Sequence, residues 1–353
     1  MAGGIGSRFW PMSKTERPKQ FLDILGMGKS LIQMTFDRLN KIAPKENIYI
    51  VTNEDYVDLV KKQIPGIQDH QILSEPARRN TAPCVAYAAY KIHQLNPNAN
   101  MVVAPSDHLI LKEEEFVSCI NKALNVTAQN NCLVTLGIQP SRPDTGYGYI
   151  QSSSINNEID NEFKKVKTFT EKPELEMAKF FIESGDFSWN SGIFVWSAET
   201  IIKSFEKHLP EMHELFNDGR LTYHTEREKS YISNIYQVCT NISIDYGIME
   251  KSEEVYILPC DFGWSDLGTW GSLYTHLDHD SSGNGKIGNN VRMYDSSNCV
   301  VNVPNEKLVV LQGLDNYIVV ESDHTLLICK KDEEQKIKQF VNDLKLEFGD
   351  QYI

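Results

Sequence analysis

The sequence predicts an α/β fold with a mixed, mainly parallel sheet, followed by a small β-rich module and a closing helix. Three observations carry this reading. Short apolar runs alternate with amphipathic helical stretches through residue 285, the pattern of βαβ units. From residue 286 the texture changes to closely spaced β-type runs with polar or glycine turns between them. The final stretch places its apolar residues at helical spacing. The expected division is therefore 1–285 and 286–353.

Each element has its own warrant. Ser30 and Gln33 stand three apart before "LIQMTFDRLNKI", a capping box that marks a helix start. "NIYIVT" (Asn47 to Thr52), "NMVVAP" (Asn100 to Pro105) and "CLVTLGI" (Cys132 to Ile138) read as buried strands. "CVAYAAYKIHQL" and "EEFVSCINKALNVTAQ" between them read as amphipathic helices. In the C-terminal part, "VRMYD", "CVVNV", "KLVVLQ", "YIVVES" and "TLLICK" are the strand candidates. In the tail, Ile337, Phe340, Val341, Leu344 and Phe348 share one helical face.

Composition narrows the function. The 353 residues are 41% hydrophobic and 24% charged, enough for a sizeable core. With 48 acidic against 35 basic residues, the formal net charge is −13. No basic surplus exists to displace counterions, so neither nucleic acid nor an anionic membrane is an expected partner. A small phosphorylated ligand stays possible, because local cations and amides can bind it inside an acidic protein. Seven cysteines, none in a CxxC pair, read as buried reduced thiols in a reducing compartment. With no signal peptide and no long apolar run, a soluble cytoplasmic protein is expected.

The opening, "MAGGIGSRFWPMSKTERPKQF", raises the functional question. Gly3, Gly4 and Gly6 let backbone amides approach an anion, and Arg8 and Lys19 bring cations to the same place. Only Met1 and Ala2 precede these glycines, so no strand is expected to lead into the loop. Two familiar phosphate motifs fail here. "GGIGSRF" has Phe9 where a dinucleotide fingerprint needs its third glycine, and "GMGKS" has Asp23 where a P-loop needs its first. The latter reads as a glycine turn feeding the Ser30 cap.

Two carboxylates stand out beyond the loop. Asp107 follows the strand "MVVAP", at a carboxyl end where open α/β sheets bind ligands. Asp266 lies in "DFGWSDLGTW" before a helix. Together they suit a shared Mg²⁺ whose shell is completed by phosphate oxygens and water. "EPARRNTAP", "DTGYGYI", "FTEKP" and "WNSGIFVW" mix aromatics or glycine with hydroxyl-gripping polar groups, as sugar recognition requires. The nine histidines are scattered; His276 and His279 fall on one probable helix face and lack further zinc ligands nearby.

Taken in order, "GGIGSRFWP" with "RPKQF", "EPARRNTAP", "APSDH", "TGYGYI", "FTEKP", "WNSGIF", "SIDYGIME" and "FGWSDLGTW" resemble the sugar-nucleotide pyrophosphorylases over roughly Met1 to Trp270. The forms "RNTAP" and "FGWSDLGTW" point to the guanylyl-transferring branch that makes GDP-mannose. The resemblance implies a Rossmann-like nucleotidyltransferase domain with a short β-helix-like C-terminal module. It implies GTP and mannose 1-phosphate as substrates, Mg²⁺ as cofactor and a homodimer. Arg8 and Lys19 would hold the triphosphate, with Gly3, Gly4 and Gly6 around it, and Asp107 and Asp266 the metal. Glu75, Pro76 and Asn80 would lie near the guanine. Gly148, Glu171 and Asn190 would contact the sugar, Lys172 its phosphate, and Asp245 would wall the sugar pocket. Two alternatives stay open: a pyrophosphorylase for another sugar phosphate or nucleotide, and a non-catalytic binding subunit on the same fold.

Overall fold

The computed structural model describes residues 1–4, 6–153 and 159–353. The chain packs as two compact units. One comprises Met1–Gly3, Arg38–Pro105 and Ile110–Trp264, and the other Gly4–Asp37, Ser106–Leu109 and Ser265–Ile353. Packing groups segments that are far apart in the sequence. The reason is apolar: Phe9, Trp10, Ile24 and Trp270 are buried in one cluster with Val300, Ile318 and Ile337, so the opening loop and the Asp266 turn pack with the β module.

In the first unit, β1 (Ile50–Asn53) pairs in parallel with β2 (Ile72–Glu75). A six-stranded sheet is built from β3 (Asn100–Val103), β4 (Leu133–Ile138), β5 (Gly148–Ser152), β6 (Lys164–Glu171), β7 (Phe187–Ser197) and β8 (Val255–Cys260), in the order β3-β7-β4-β8-β6-β5, with β5 also paired to β7. The sheet is mixed as expected, but its balance differs from the mainly parallel one read from the sequence. Among the described residues, only β4 and β8 pair in parallel within it. The eleven-residue β7 runs against β3, β4 and β5, and β6 runs against β5 and β8. Strand direction depends on the connections, and the apolar runs do not encode it.

Both faces of this sheet are covered, which is why β4 is buried at every position. Period-two alternation splits β7 between the two faces. Phe194 and Trp196 join the cluster formed with the helix Thr81–Leu95. Ile193 and Val195 join the cluster formed with Phe116, Ile120 and Ala123 of the helix Glu113–Gln129. Among the described residues the first four form no strand, yet they are anchored. The Met1 amine donates to Ala104 O at 2.9 Å, Ala2 N–H donates to Val51 O at 2.7 Å, and Thr52 Oγ1 donates to Ala2 O at 2.9 Å. The start of the chain is therefore fixed to β1 and to the residue that follows β3.

The second unit contains β9 (Gly285–Ile287), β10 (Val291–Tyr294), β11 (Val300–Asn302), β12 (Val309–Gln312), β13 (Tyr317–Ser322) and β14 (Thr325–Lys330). β9, β11 and β13 pair in parallel on one side, and β10 and β12 on another. Successive coils thus stack like rungs, a short β-helix, and antiparallel β14 closes the larger sheet. The helix Ile337–Phe348 follows. Its expected apolar face is buried at Ile337, half-buried at Phe340, Val341 and Leu344, and exposed at Phe348.

Several local readings resolve here. Ser30 N–H donates to Gln33 Oε1 at 2.9 Å and Gln33 N–H donates to Ser30 Oγ at 3.5 Å, the two halves of the expected capping box before the helix Leu31–Leu39. Asp23 accepts from Met27 N–H and Gly28 N–H at 2.9 and 2.6 Å, so "GMGKS" is a turn and its acid organises that turn. The helix after Asp266 ends at Tyr274, which leaves His276 and His279 beyond it. His279 Nε2 instead sits 2.9 Å from Tyr274 O. All seven cysteines are free, five of them buried. Among the described residues, no helix is long and apolar enough to cross a membrane.

Candidate active site

Lys19 approaches the opening loop closely at Gly6. Gly6 has φ of 68°, and a Cβ there would stand 2.5 Å from Lys19 Cβ. Only glycine permits both the left-handed backbone and this approach. Lys19 is thereby laid flat across the loop and buried, with 4% exposure. Its Nζ donates to Asp107 Oδ2 at 3.0 Å and to the backbone oxygen of Asp266 at 2.5 Å. One ammonium therefore ties together three segments far apart in the chain. Ile5 of the loop lies outside the described residues.

Around this ammonium is a cavity of about 260 Å³, lined by Gly6, Arg8, Lys19, Asp107, His108, Asp266 and Lys338 among others. Burial alone would push the Asp107 carboxyl up. Lys19, and then His108, outweigh it and hold the group below its usual value. His108 Nε2 is 3.9 Å from Asp107 Oδ1. The Asp266 carboxylate is fixed by Gly268 N–H, which donates to Oδ1 at 2.9 Å. Leu267 between them takes a left-handed φ of 44°, a strained value for a non-glycine residue. Its side chain is fully buried, which holds the turn. Among the described residues Arg8 Nε is buried without a hydrogen-bond partner, whereas buried donors are normally paired.

The cavity fits a hard divalent cation. Asp107 and Asp266 supply oxygen donors to one hollow. Among the described residues, no group of three or more His, Cys, Asp or Glu is arranged to hold a metal. An ion here would rely on two carboxylates plus ligand oxygens.

The first unit holds a second constellation. Gly148 opens β5 opposite Glu171, the last residue of β6. A Cβ on Gly148 would stand 2.5 Å from Glu171 Oε2, so the glycine makes room for that carboxylate. Lys172 follows with a left-handed φ of 49°, and its ammonium pairs with Glu171 Oε1. On β7, the register against β4 shifts between Thr135 and Gly137, an irregularity of the kind that re-aims a side chain. There the Asn190 amide donates to Asp245 Oδ1 at 2.7 Å and accepts from Thr135 Oγ1 at 3.2 Å. Asp245 begins a short π-helix, Asp245–Met249. Burial pushes its carboxyl up, and the Glu171 charge adds to this. Gly148, Glu171, Lys172, Asn190 and Asp245 thus form one polar cluster rich in acceptors.

Glu75 and its neighbours end β2 in the same unit. Glu75 is buried, accepts from Tyr236 Oη at 2.9 Å, and is pushed up to about 7 by burial. A Cβ on Gly3 would stand 3.4 Å from Glu75 Oε2. Asn80 takes a φ of 67° and uses its side-chain oxygen to accept from Thr81 N–H, so that atom caps a helix. Pro76 is half-buried between Glu75 and these residues. The sequence reading missed Thr135 and Tyr236, and passed over His108 although it stands in the quoted "SDH". No local pattern marks Lys338.

These features define a nucleotide-handling α/β enzyme, and the chain belongs to the nucleotidyl transferase family, whose model matches residues 1–282. A second model, the mannoseP isomerase/GMP-like beta-helix domain, matches residues 288–344. Among the relatives is mannose-1-phosphate guanylyltransferase of Escherichia coli, 33% identical over 98% of this chain and 75% of its own length. Another is the alginate biosynthesis protein AlgA of Pseudomonas syringae pv. tomato, 36% identical over 97% of this chain and 70% of that protein. The crystal structure of mannose-1-phosphate geranyltransferase from Thermus thermophilus matches with a TM-score of 0.87 at 30% identity, covering 98% of each chain.

Proposed function

We propose that this chain transfers the guanylyl group of GTP to mannose 1-phosphate, giving GDP-mannose and pyrophosphate. The observation that carries the reading is the cavity to which Arg8, Lys19, Asp107 and Asp266 come from three remote stretches of sequence. Relatives named for this activity support the choice of substrates.

A sugar-phosphate oxygen attacks the α-phosphorus in line, forming one P–O bond as the bond to the β-phosphate oxygen breaks. The attacking phosphate is already ionised at neutral pH, so no protein nucleophile and no proton transfer is required. The barrier is the approach of two polyanions. Fixed cations and amides lower it without reorganising during the reaction. In this reading Arg8 and Lys19, with the amides near Gly3, Gly4 and Gly6, bind the triphosphate and stabilise the departing pyrophosphate. Asp107 and Asp266 hold Mg²⁺, which when bound supplies positive charge to the phosphate oxygens.

In the first unit, Gly148, Glu171, Asn190 and Asp245 bind the sugar hydroxyls, and Lys172 the sugar phosphate. Glu75, Pro76 and Asn80 lie near the base. A homodimer in the cytoplasm completes the proposal, and the seven free thiols are in keeping with a reducing compartment.

The deciding assay is pyrophosphate release across a panel of nucleoside triphosphates and sugar 1-phosphates with Mg²⁺. The pair GTP and mannose 1-phosphate should give the highest kcat/KM. A different best pair would replace the substrates but keep the chemistry. Binding of GDP-mannose without turnover of any pair would make the chain a non-catalytic subunit.

A further inference from the structure

We propose that Lys338, in the first turn of the closing helix, is a third phosphate-binding cation of the cavity, so that the segment after the β module supplies part of the reaction site. Lys338 lines the same hollow as Arg8 and Lys19 although 319 positions separate it from Lys19.

Its placement follows from packing. The neighbouring Ile337 is fully buried in the cluster that holds Phe9, Trp10, Leu267 and Trp270, and the closing helix packs on the short helix Ser7–Phe9 that carries Arg8. Beyond the helix, Tyr352 O accepts from Trp10 Nε1 at 2.7 Å, and Ile353 is buried in the same cluster. The end of the chain is thus clamped to the opening loop from both sides of Lys338. An otherwise exposed lysine is thereby directed at the place where phosphate oxygens are expected.

Charge gives the reason for a third cation. Without Lys338, the two cations Arg8 and Lys19 face the two carboxylates Asp107 and Asp266, and Lys19 is already bonded to Asp107. Leaving aside a bound metal ion, the formal charges of these four side chains cancel. Lys338 adds one positive charge to the lining. Because Lys338 is exposed to solvent, its contribution is moderate and screened by salt.

The anion is taken from the nucleotidyl-transfer reading, on which this inference rests. Its test does not depend on turnover. Pyrophosphate and, separately, GTP are titrated with Mg²⁺ into the wild-type chain and into Lys338→Ala, Lys338→Met, Lys338→Arg and Lys336→Ala. Lys336 pairs with Glu333 instead of lining the hollow. Removing the charge should weaken pyrophosphate and GTP about tenfold, the scale of one hydrogen bond to a charged group. Lys338→Arg should stay within about threefold of wild type, Lys336→Ala should match it, and the affinity for mannose 1-phosphate, titrated in the same way, should not move. Lys338→Met keeps the alkyl stem and separates packing from charge.

Wild-type pyrophosphate affinity in both Lys338→Ala and Lys338→Met would overturn the proposal. So would equal weakening in Lys338→Arg, which would mark a structural role. If wild type binds pyrophosphate but releases none from GTP and mannose 1-phosphate, the function proposed above fails, while Lys338 is still decided by the titration.

Discussion

Replacing Gly6 with alanine tests the geometry on which the phosphate cavity depends. The added carbon would lie 2.5 Å from Lys19 Cβ, where ordinary carbon contacts are about 3.5–4.0 Å. Relief needs a movement of about 1 Å. Lys19 cannot swing aside, because the clashing atom is its Cβ and moves only with the backbone of the helix Lys19–Phe21, all three residues of which are buried. The left-handed φ of 68° adds about 1 kcal/mol for a residue with a side chain. Together the strain should cost about 2–4 kcal/mol of stability. The catalytic effect should be larger than the stability effect implies. The ammonium of Lys19 is located to within hydrogen-bond distance of Asp107 and of the Asp266 carbonyl, and a misplacement of about 1 Å can cost on the order of a hundredfold in rate. Gly66→Ala is the matched control, since Gly66 also has a left-handed φ, 87°, lies outside the cavity lining, and among the described residues an added Cβ there meets nothing within 4 Å. Pyrophosphate release from GTP and mannose 1-phosphate, with melting curves alongside, gives both readouts. We expect kcat/KM for GTP to fall about a hundredfold in Gly6→Ala and less than about threefold in Gly66→Ala. A folded Gly6→Ala enzyme as active as Gly66→Ala would show that the Lys19 position is not what the loop exists to set.

Three further outcomes can be checked. Asp107→Asn and Asp266→Asn should each lower turnover about a hundredfold or more, if one preorganised electrostatic element is worth about 3 kcal/mol; wild-type turnover in Asp107→Asn with Mg²⁺ present would remove it from the metal site. Lys172→Ala should raise the KM for mannose 1-phosphate about tenfold and leave GTP affinity, measured by titration, within about twofold; an equal loss of GTP binding would refute the division of labour between the two constellations. Glu75 is raised from 4.5 to about 7, so the folded protein holds this proton more tightly than the unfolded chain does. Its stabilising contribution is therefore complete below about pH 4.5 and lost as pH rises through 7. Glu75→Gln should remove that dependence, and its urea stability should gain on wild type by roughly 3 kcal/mol between pH 4.5 and 8; parallel profiles for the two proteins would contradict the protonated state of Glu75.

What the sequence made legible divides along physical lines. Apolar periodicity reports burial, so the strands at Asn100–Val103 and Leu133–Ile138 and the helices Thr81–Leu95 and Glu113–Gln129 lie where they were read. Periodicity is blind to direction, which is why the sheet's antiparallel balance was missed. It is equally blind to which far segments bury each other's aromatics, so no linear cut separates Trp10 and Trp270 from Val300. Residue chemistry pointed to Arg8, Lys19, Asp107 and Asp266 because phosphate and metal demand those groups, and these four line one hollow. It could not point to Lys338, whose chemistry is that of any surface lysine and whose meaning comes only from the burial of Ile337 beside it. Nor could it show strain. Asn80, Lys172 and Leu267 each take a positive φ, and each stands within, or one residue from, a segment singled out for its polar groups. Such conformations cost about 1–3 kcal/mol and persist only where surrounding packing dictates them. Positive φ is not confined to these segments, since Asp295, Asn298 and Asn316 in the β module share it. At Lys172 and Leu267, however, the strained residue directly follows a carboxylate singled out for its chemistry, Glu171 and Asp266, so local backbone preference is given up at the turns that hold those groups.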